Sequence, residues 1–576
     1  MNSFLVLLNG ERDKVSFYEN EFFKGIYKND KSQFNDKYHE IIAFHPSSMI
    51  NVEQQFMIDD ILLVCNGDIY NHKELFNEIQ ITPKSSWTCE IIIHLYLKFG
   101  FPQILNYLDG EFSFVLYDMR INSDDNNKIF VARDVLGARP LYQFAHKPTC
   151  NECNKYFYGF SSESKTLFNI DDKNHFHCKT FNDKENKTCC KIIPFLPGTY
   201  SYYSYSYGMS QDINWKWVLE QSNISYAVSV PHIYYNQIYT TPYSYELTNF
   251  KNYLTDAVNK RCNIFREKNI GCILSGDIES NILAVLIYEY CKINNCILNT
   301  FSIGFENSEH LRNTKMVANF LHSTHTEIII TKEDMFQTIP GVIYVTECYD
   351  SKTVFKCIES YYLSKYISKN CDTKVLFTIN GFNISECKLT LTNSIESDIK
   401  IRQMLKEIHY FNEKCIKCNG IEPLTPYLDN MFLHYILSQN RLSQNQLKQV
   451  FLNQVPDYFS LNTKIIASKH FILQKEIADY LNFENGCNMY LPTIETEEYF
   501  YKQIFQDIHL RTIDSHSFNP KTHYIKIESK QYLKLLLRYY EVFNKFNIYT
   551  HTLAIREINN KKNELNIYYE VFPTIK

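Results

Sequence analysis

Two hydrophobic rhythms follow one another along the chain. Through the first third, apolar and polar residues alternate in short runs: ILLVCNGDIYN, EFSFVLYD, KIFVARD, PLYQF and KYFYGFS. A period of two puts neighbouring side chains on opposite faces, so these runs predict half-buried strands of a layered sheet. FLVLL near the start predicts a buried first strand, and CEIIIHLYLKFG, between the strand runs, predicts a helix. After LPGTY comes the Tyr/Ser-rich SYYSYSYGMSQD, which reads as a late strand or hairpin followed by a linker.

From about Glu246 strand and helix patterns alternate. TNFKNYLTDAVNKRC, ESNILAVLIYEYCK, TKMVANFLH and EDMFQTIPGVIYVTECYD read as helices. GCILSG, LNTFSIGF, THTEIIIT and KVLFTI read as strands. Such an order predicts a parallel sheet covered by helices, with ligands at the carboxyl ends of its strands. The chain beyond KVLFTI reads as helical to about residue 510, and residues 515–576 return to strand-like pieces rich in Tyr, Ile and Val. The expected organisation is an α+β layered antiparallel domain over residues 1–200 and a strand and linker over 201–245. An α/β parallel-sheet domain over 246–510 and a carboxyl-terminal extension over 511–576 complete it.

At 576 residues the chain exceeds one ordinary core. A net charge of -5, with charged residues scattered, supplies no basic face, so nucleic acid is not an expected partner. No apolar run reaches the roughly 18 residues of a membrane span, and MNSFLVLLNGERDK lacks the basic start of a secretion signal, so a cytoplasmic protein off the membrane is expected. The 18 cysteines are then reduced thiols. Only 16 glycines occur, well below the usual share of about 7%, so glycine-dependent loops are where substitutions are expected.

GCILSGDIESNILA, residues 271–284, reads as strand, tight turn and helix. A helix amino terminus presents unpaired N–H groups to an anion, so this is a candidate phosphate site, with Asp277 placing a carboxylate in the turn. Cys150 and Cys153, with histidines and cysteines nearby in sequence, offer half of a Zn²⁺ site, and free thiols are the competing reading. A second CxxC, Cys415 and Cys418, has no partner pair. A GxSxG turn, a Walker A loop and an HExxH motif do not occur.

Taken in order, NGDIYNHKEL, LDGEFSFVLYD, ARDVLGARPLY, FSSESKTL and LPGTY, followed by SGDIES, TFSIGF, VANFLHSTHTEIIIT, ECYDSKT, YYLSKYI, GIEPLTPYLD and TEEYFYKQIF, resemble the glutamine-hydrolysing asparagine synthetase family over nearly 500 residues. The resemblance implies a class II glutaminase-like αββα domain and an ATP-pyrophosphatase-like domain. The implied reaction is ATP-dependent amidation of aspartate, with ammonia passed from glutamine through an internal channel. Aspartate, glutamine and ATP with Mg²⁺ are the implied small-molecule partners; a homodimer or another protein partner stays open.

The same resemblance locates the expected chemistry residue by residue. The family nucleophile is a cysteine at the mature amino terminus, and residue 2 here is Asn2. An arginine for the glutamine carboxylate is missing from HPSSMIN, and the acid for its amine falls at Thr88. Asn66, Gly67 and Asp68 correspond to an oxyanion hole and a substrate contact; a turn kept for folding is the competing reading. In the phosphate loop Ser275, Gly276 and Ser280 persist, and Glu279 replaces the aspartate that holds Mg²⁺. Leu274, Ile303 and Thr378 are candidates for the nucleotide pocket, and Asp350 in ECYD persists. The second loop, acidic in the family, reads Thr378 to Ile384, with Asn380 and Asn383 in place of acids. Phe355 and Leu424 stand where arginines are expected. Two expectations follow: a C–N ligase without glutaminase activity and with impaired synthetase activity, or a pseudoenzyme that serves as a binding or regulatory scaffold.

Overall fold

The computed structural model describes residues 4–10, 14, 31–36, 41–46, 55–120, 127–146, 157–167, 170, 190–207, 215–225, 250–347, 351–382, 404–405, 408–438, 525–527 and 565–567. By compactness the chain divides into residues 1–328 with 363–467, and residues 329–362 with 468–576.

The larger unit opens with two six-stranded antiparallel sheets. One contains β1 (Leu5–Leu8), β2 (Lys31–Asp36), β3 (Ile41–Pro46), β8 (Tyr142–His146), β9 (Phe157–Ser161) and β10 (Cys190–Pro194), in the order β10-β8-β9-β1-β3-β2. The other contains β4 (Gln55–Ile58), β5 (Ile61–Ile69), β6 (Gly110–Asp118), β7 (Lys128–Arg133), β11 (Thr199–Tyr207) and β12 (Trp215–Ser225), in the order β12-β11-β7-β6-β5-β4. The period of two assigns the layers. Val6 and Leu8 of β1 share one core with Leu62 and Val64 of β5, between the sheets. Leu5 and Leu7 face the opposite way, into a cluster with Phe144, Leu167 and Ile170. Leu63 and Cys65 turn to α1 (His72–Ile79) and α2 (Ile91–Phe99), among Phe76, Ile92 and Leu95. The predicted buried first strand and the helix in CEIIIHLYLKFG are both present, the Tyr/Ser-rich stretch supplies β11, and β12, antiparallel to it, lies where a linker was expected.

The α/β part of the same unit follows the second rhythm: α3 (Phe250–Phe265), β13 (Asn269–Ile273), α4 (Ile278–Asn294), β14 (Ile297–Gly304), α5 (Glu309–Phe320) and β15 (Thr324–Ile329). After α6 (Lys332–Thr346) and α7 (Ser351–Asn370) come β16 (Val375–Phe377), β17 (Glu422–Leu424) and α8 (Asn430–Ser438). The sheet order is β15-β14-β13-β16-β17, and β13 pairs in parallel with both β14 and β16. Successive strands step outward to one side of β13 and then, from β16, to the other. An open α/β sheet binds ligands beyond the carboxyl ends of its strands at such a switch. Helix α4 is buried along most of its length, and its Ile282, Leu283 and Leu286 join Cys272, Leu274 and Phe377 in the central core.

One expectation is corrected. GIEPLTPYLD, read as helical, contains β17, which extends the sheet alongside β16 with Phe377 opposite Leu424. Pro423 within it lacks an N–H, which an edge strand tolerates. Preceding it, Tyr410–Ile416 winds as a π-helical turn. In the smaller unit, α6 begins with a capping box between Thr331 and Asp334, and Ile525–Ile527 pairs antiparallel with Leu565–Ile567.

Candidate functional site

Asn66, Gly67 and Asp68, read as a strand-end turn, lie within strand β5 and pair along β6, with Asp68 opposite Glu111. Gly67 has φ of +144°, and a Cβ there would collide with the Glu111 carbonyl oxygen, so the close approach of two strands demands glycine. Asn66 is 2% exposed, and its Oδ1 has no partner among the described residues. The Thr88 hydroxyl donates to Asp68 Oδ1 at 3.1 Å and accepts from the Ile69 N–H at 3.2 Å. Burial raises the Asp68 carboxyl above its ordinary range, partly offset by Arg139, whose guanidinium lies 3.7 Å away. Cys65 supplies no nucleophile here. Its thiol is fully buried, donates to Cys89 Sγ at 3.5 Å, and is pushed well up by burial and by that contact.

The phosphate-loop candidate joins β13 to α4. Gly276 adopts the left-handed φ of +75°, with His310 and Thr314 packed against it. The Ser280 hydroxyl accepts from the Ser275 N–H at 3.2 Å and donates to the Asp277 carbonyl at 2.9 Å, closing the turn on itself. Asp277 is the N-cap of α4 with φ −77° and ψ 155°, an extended conformation open to any residue, and its side chain makes no capping bond. The aspartate there therefore costs no backbone strain, and what it brings is negative charge at the helix amino terminus. Ser275 Oγ is buried without a partner among the described residues.

Strand register brings the other candidates to the same sheet end. Leu274 N–H donates to the Phe301 carbonyl at 2.8 Å, just short of Ile303 on β14. Cys272 lies opposite Phe377, so β16 runs out into Thr378 and Asn380 beside the loop. Thr378 is 2% exposed. Asn380 Nδ2 donates to Asn412 Oδ1 at 2.8 Å, and the Thr378 hydroxyl reaches the same atom at 3.5 Å. Phe382, buried, meets Tyr427 edge to face at 5.4 Å, and the Tyr427 hydroxyl donates to the Glu279 carbonyl at 2.8 Å. Aromatic packing thus ties the second loop to the first turn of α4. Leu424 lies in the central core.

Two cavities lie between the antiparallel sheets and the α/β part. Both are small, of about 20 Å³; one is bordered by Tyr70, Asp109, Asp134 and Arg261, the other by His409, Asn412, Glu413 and Thr425. Glu111, Leu136 and Leu428 border both, and neither is lined by Ser275, Gly276, Glu279 or Asn380.

Residues 31–204 match the glutamine amidotransferase domain family, and residues 249–381 match the asparagine synthase family. Proteins named glutamine-hydrolysing asparagine synthetase align along most of the chain. The rat protein is 28% identical over 502 residues, covering 80% of this chain and 84% of its own length. The human protein is 29% identical with the same coverage. The chain belongs to the asparagine synthetase family. An NAD+ synthetase structure from Burkholderia pseudomallei aligns at a TM-score of 0.22 and 8% identity over 40% of this chain and 96% of its own, too slight a likeness to weigh.

For this member of the asparagine synthetase family several expected positions, Asn2, Cys150, Cys153, Asp350, Asn383 and residues 47–51, lie outside the described residues. So does the side chain of Phe355. Among the described residues no group of three or more His, Cys, Asp and Glu side chains is placed to hold a metal. Mg²⁺ commonly uses one or two carboxylates plus phosphate oxygens, and Asp277 and Glu279, the latter 8% exposed, are the described carboxylates at the loop. The sequence reading missed Asn412, whose contact with Asn380 spans 32 positions, and the ion cluster around Arg139. A local signal for the latter existed in DVLGAR. Asp134 accepts from the N–H groups of Leu136, Ala138 and Arg139, folding the turn that presents the arginine.

Proposed function

We propose that this chain is an asparagine synthetase-like protein that has lost glutamine hydrolysis and retains an impaired ATP-dependent amidation of aspartate, with free ammonia as nitrogen donor. ATP and aspartate are its small-molecule substrates, and its work is in the cytoplasm. The carrying observation is the unequal state of the two candidate sites. The Ser275–Ser280 loop keeps a left-handed glycine, a closed serine turn and an open helix amino terminus. On the glutamine side the Cys65 thiol is buried against Cys89, and the Thr88 hydroxyl is engaged with Asp68 and Ile69.

On this reading Ser275, Gly276 and the first turn of α4 hold the phosphates, and Leu274, Ile303 and Thr378 border the base. Glu279 faces Mg²⁺, which when bound would neutralise phosphate charge. Residues 1–200 then serve as a glutaminase-like domain without its reaction, and residues 246–510 as the synthetase-like domain.

A second reading, a binding or regulatory scaffold, draws on the Asn380–Asn412 bond. Two neutral amides satisfy each other where an acid would be needed to take a proton. Pyrophosphate release from ATP and Mg²⁺, assayed with and without aspartate and ammonium, separates the two. Aspartate-dependent release with ammonium supports the synthetase reading; no release under any combination contradicts it and leaves the scaffold.

A further inference from the structure

Arg139 is 1% exposed, and its guanidinium gathers four carboxylates from two parts of the fold. Nη1 donates to Glu413 Oε1 at 2.7 Å and Glu422 Oε1 at 2.8 Å, in the α/β part. Nη2 lies 3.7 Å from Asp68 and 3.5 Å from Glu111, in the antiparallel part. Its own backbone is fixed: the Arg139 N–H donates to Asp134 Oδ2 at 3.2 Å, and its carbonyl accepts from Arg133 Nε at 2.7 Å. A buried cation is tolerated only when so paired, and removing it leaves its carboxylates to repel one another. Lys417, at 3.2 Å from Glu422 and 3.5 Å from Glu413, and Arg261, at 3.3 Å from Glu111, are the neighbouring cations that would remain.

Both acids that Arg139 bonds in the α/β part adjoin the second loop. Glu413 follows Asn412, the residue that accepts from Asn380 and Thr378. Glu422 lies opposite Val375 at the start of β16, the strand that leads into Thr378. The next residue of the π-helical turn, Lys414, adds a second tether, donating to Glu163 Oε2 at 2.6 Å and to the Ser162 carbonyl at 3.4 Å. Polar contacts thus run from Thr88 and Asp68 through Arg139 to Glu413, and Asn412 beside it holds the loop.

We infer that Arg139 is a positioning residue through which the antiparallel sheets hold the Tyr410–Ile416 turn and, with it, the Thr378–Asn380 loop. The amino-terminal part acts on the sheet end that carries the candidate nucleotide site, a role that requires no glutamine hydrolysis. The loop's link to nucleotide rests on the proposed function; the positioning itself rests on the contacts.

Hydrogen–deuterium exchange on the full chain tests it, comparing the unaltered protein with Arg139→Met and Arg139→Lys. Arg139→Met is expected to speed exchange roughly tenfold in peptides covering residues 375–382 and 409–417, leaving residues 269–273 and 297–304 unchanged. Arg139→Lys, which keeps the charge, is expected to restore most of the protection. Faster exchange confined to residues 134–139 and strands β5 and β6, or spread evenly over the α/β sheet, would overturn the inference. Should Arg139→Met not fold, Glu413→Gln is expected to give the same pattern more weakly, and unchanged exchange at 375–382 would count against the inference. Exchange requires no turnover, so an inactive protein counts against the proposed function alone, and preserved protection counts against the positioning role alone.

Discussion

Gly67 and Asp134 each carry a consequence that a single substitution exposes. With the Glu111 carbonyl oxygen occupying the place of a would-be Cβ, Gly67→Ala must push β5 and β6 apart. It is expected to cost about 3 kcal/mol in chemical denaturation; a loss under about 0.5 kcal/mol would contradict the strand approach described. Burial raises Asp134 from 3.8 to about 6, against the lowering effects of Arg133 and its backbone donors. A carboxyl whose folded value is raised binds its proton more tightly in the folded state. Its share of stability is therefore full below about pH 4 and is lost, by about 3 kcal/mol, as pH rises through about 6. Asp134→Asn is expected to flatten that slope between pH 4 and 6, measured by denaturant midpoints; an unchanged slope would contradict it.

Neither behaviour was legible in the residues alone. NGD suggested a turn where the chain is strand, and the need for glycine comes from Glu111, which meets Gly67 only through the register of β5 with β6. Contacts between residues so far apart in the chain leave no local pattern to read. Asn412 escaped for the same reason, being one amide in a stretch without a motif, given meaning by Asn380.

At the scale of elements, the strands and helices were legible wherever one period persisted. Alternation marked β5 through β7, and the 3.6-residue rhythm marked α3 through α5. Strand β17 was not legible, because three residues with a central proline carry no period, and only the neighbouring β16 makes them a strand. The phosphate loop was legible as strand, turn and helix, but not the conformation of Asp277. Since that residue is extended and makes no capping bond, Asp277→Gly is expected to change stability by less than about 0.5 kcal/mol. Removing a carboxylate about 4 Å from a bound phosphate relieves about 1 kcal/mol of repulsion in water and about 4 at an effective dielectric near 20. ATP affinity by calorimetry is therefore expected to rise about tenfold, and an unchanged affinity would show that the carboxylate does not oppose the phosphates.

At the scale of the molecule, two rhythms in the sequence correspond to two architectures that meet within the larger compact unit, joined by buried charge as well as by apolar surface. Glu422 shows the strength of that junction. Burial works to raise its carboxyl, yet Lys417 and Arg139 hold it down to about 2. The sequence motifs located both candidate sites, while the connection between them emerged only when residues 68, 111, 139, 413 and 422 met in the fold. On the proposed function, the synthetase-like half works weakly and without nitrogen from glutamine. The decisive measurement follows isotope into asparagine, with ATP, Mg²⁺ and aspartate supplied together with ¹⁵N-ammonium in one reaction and amide-¹⁵N-glutamine in another. Labelled asparagine is expected from ammonium, and neither label nor glutamate from glutamine. Labelled asparagine formed from glutamine, with glutamate in equal amount, would contradict the proposal.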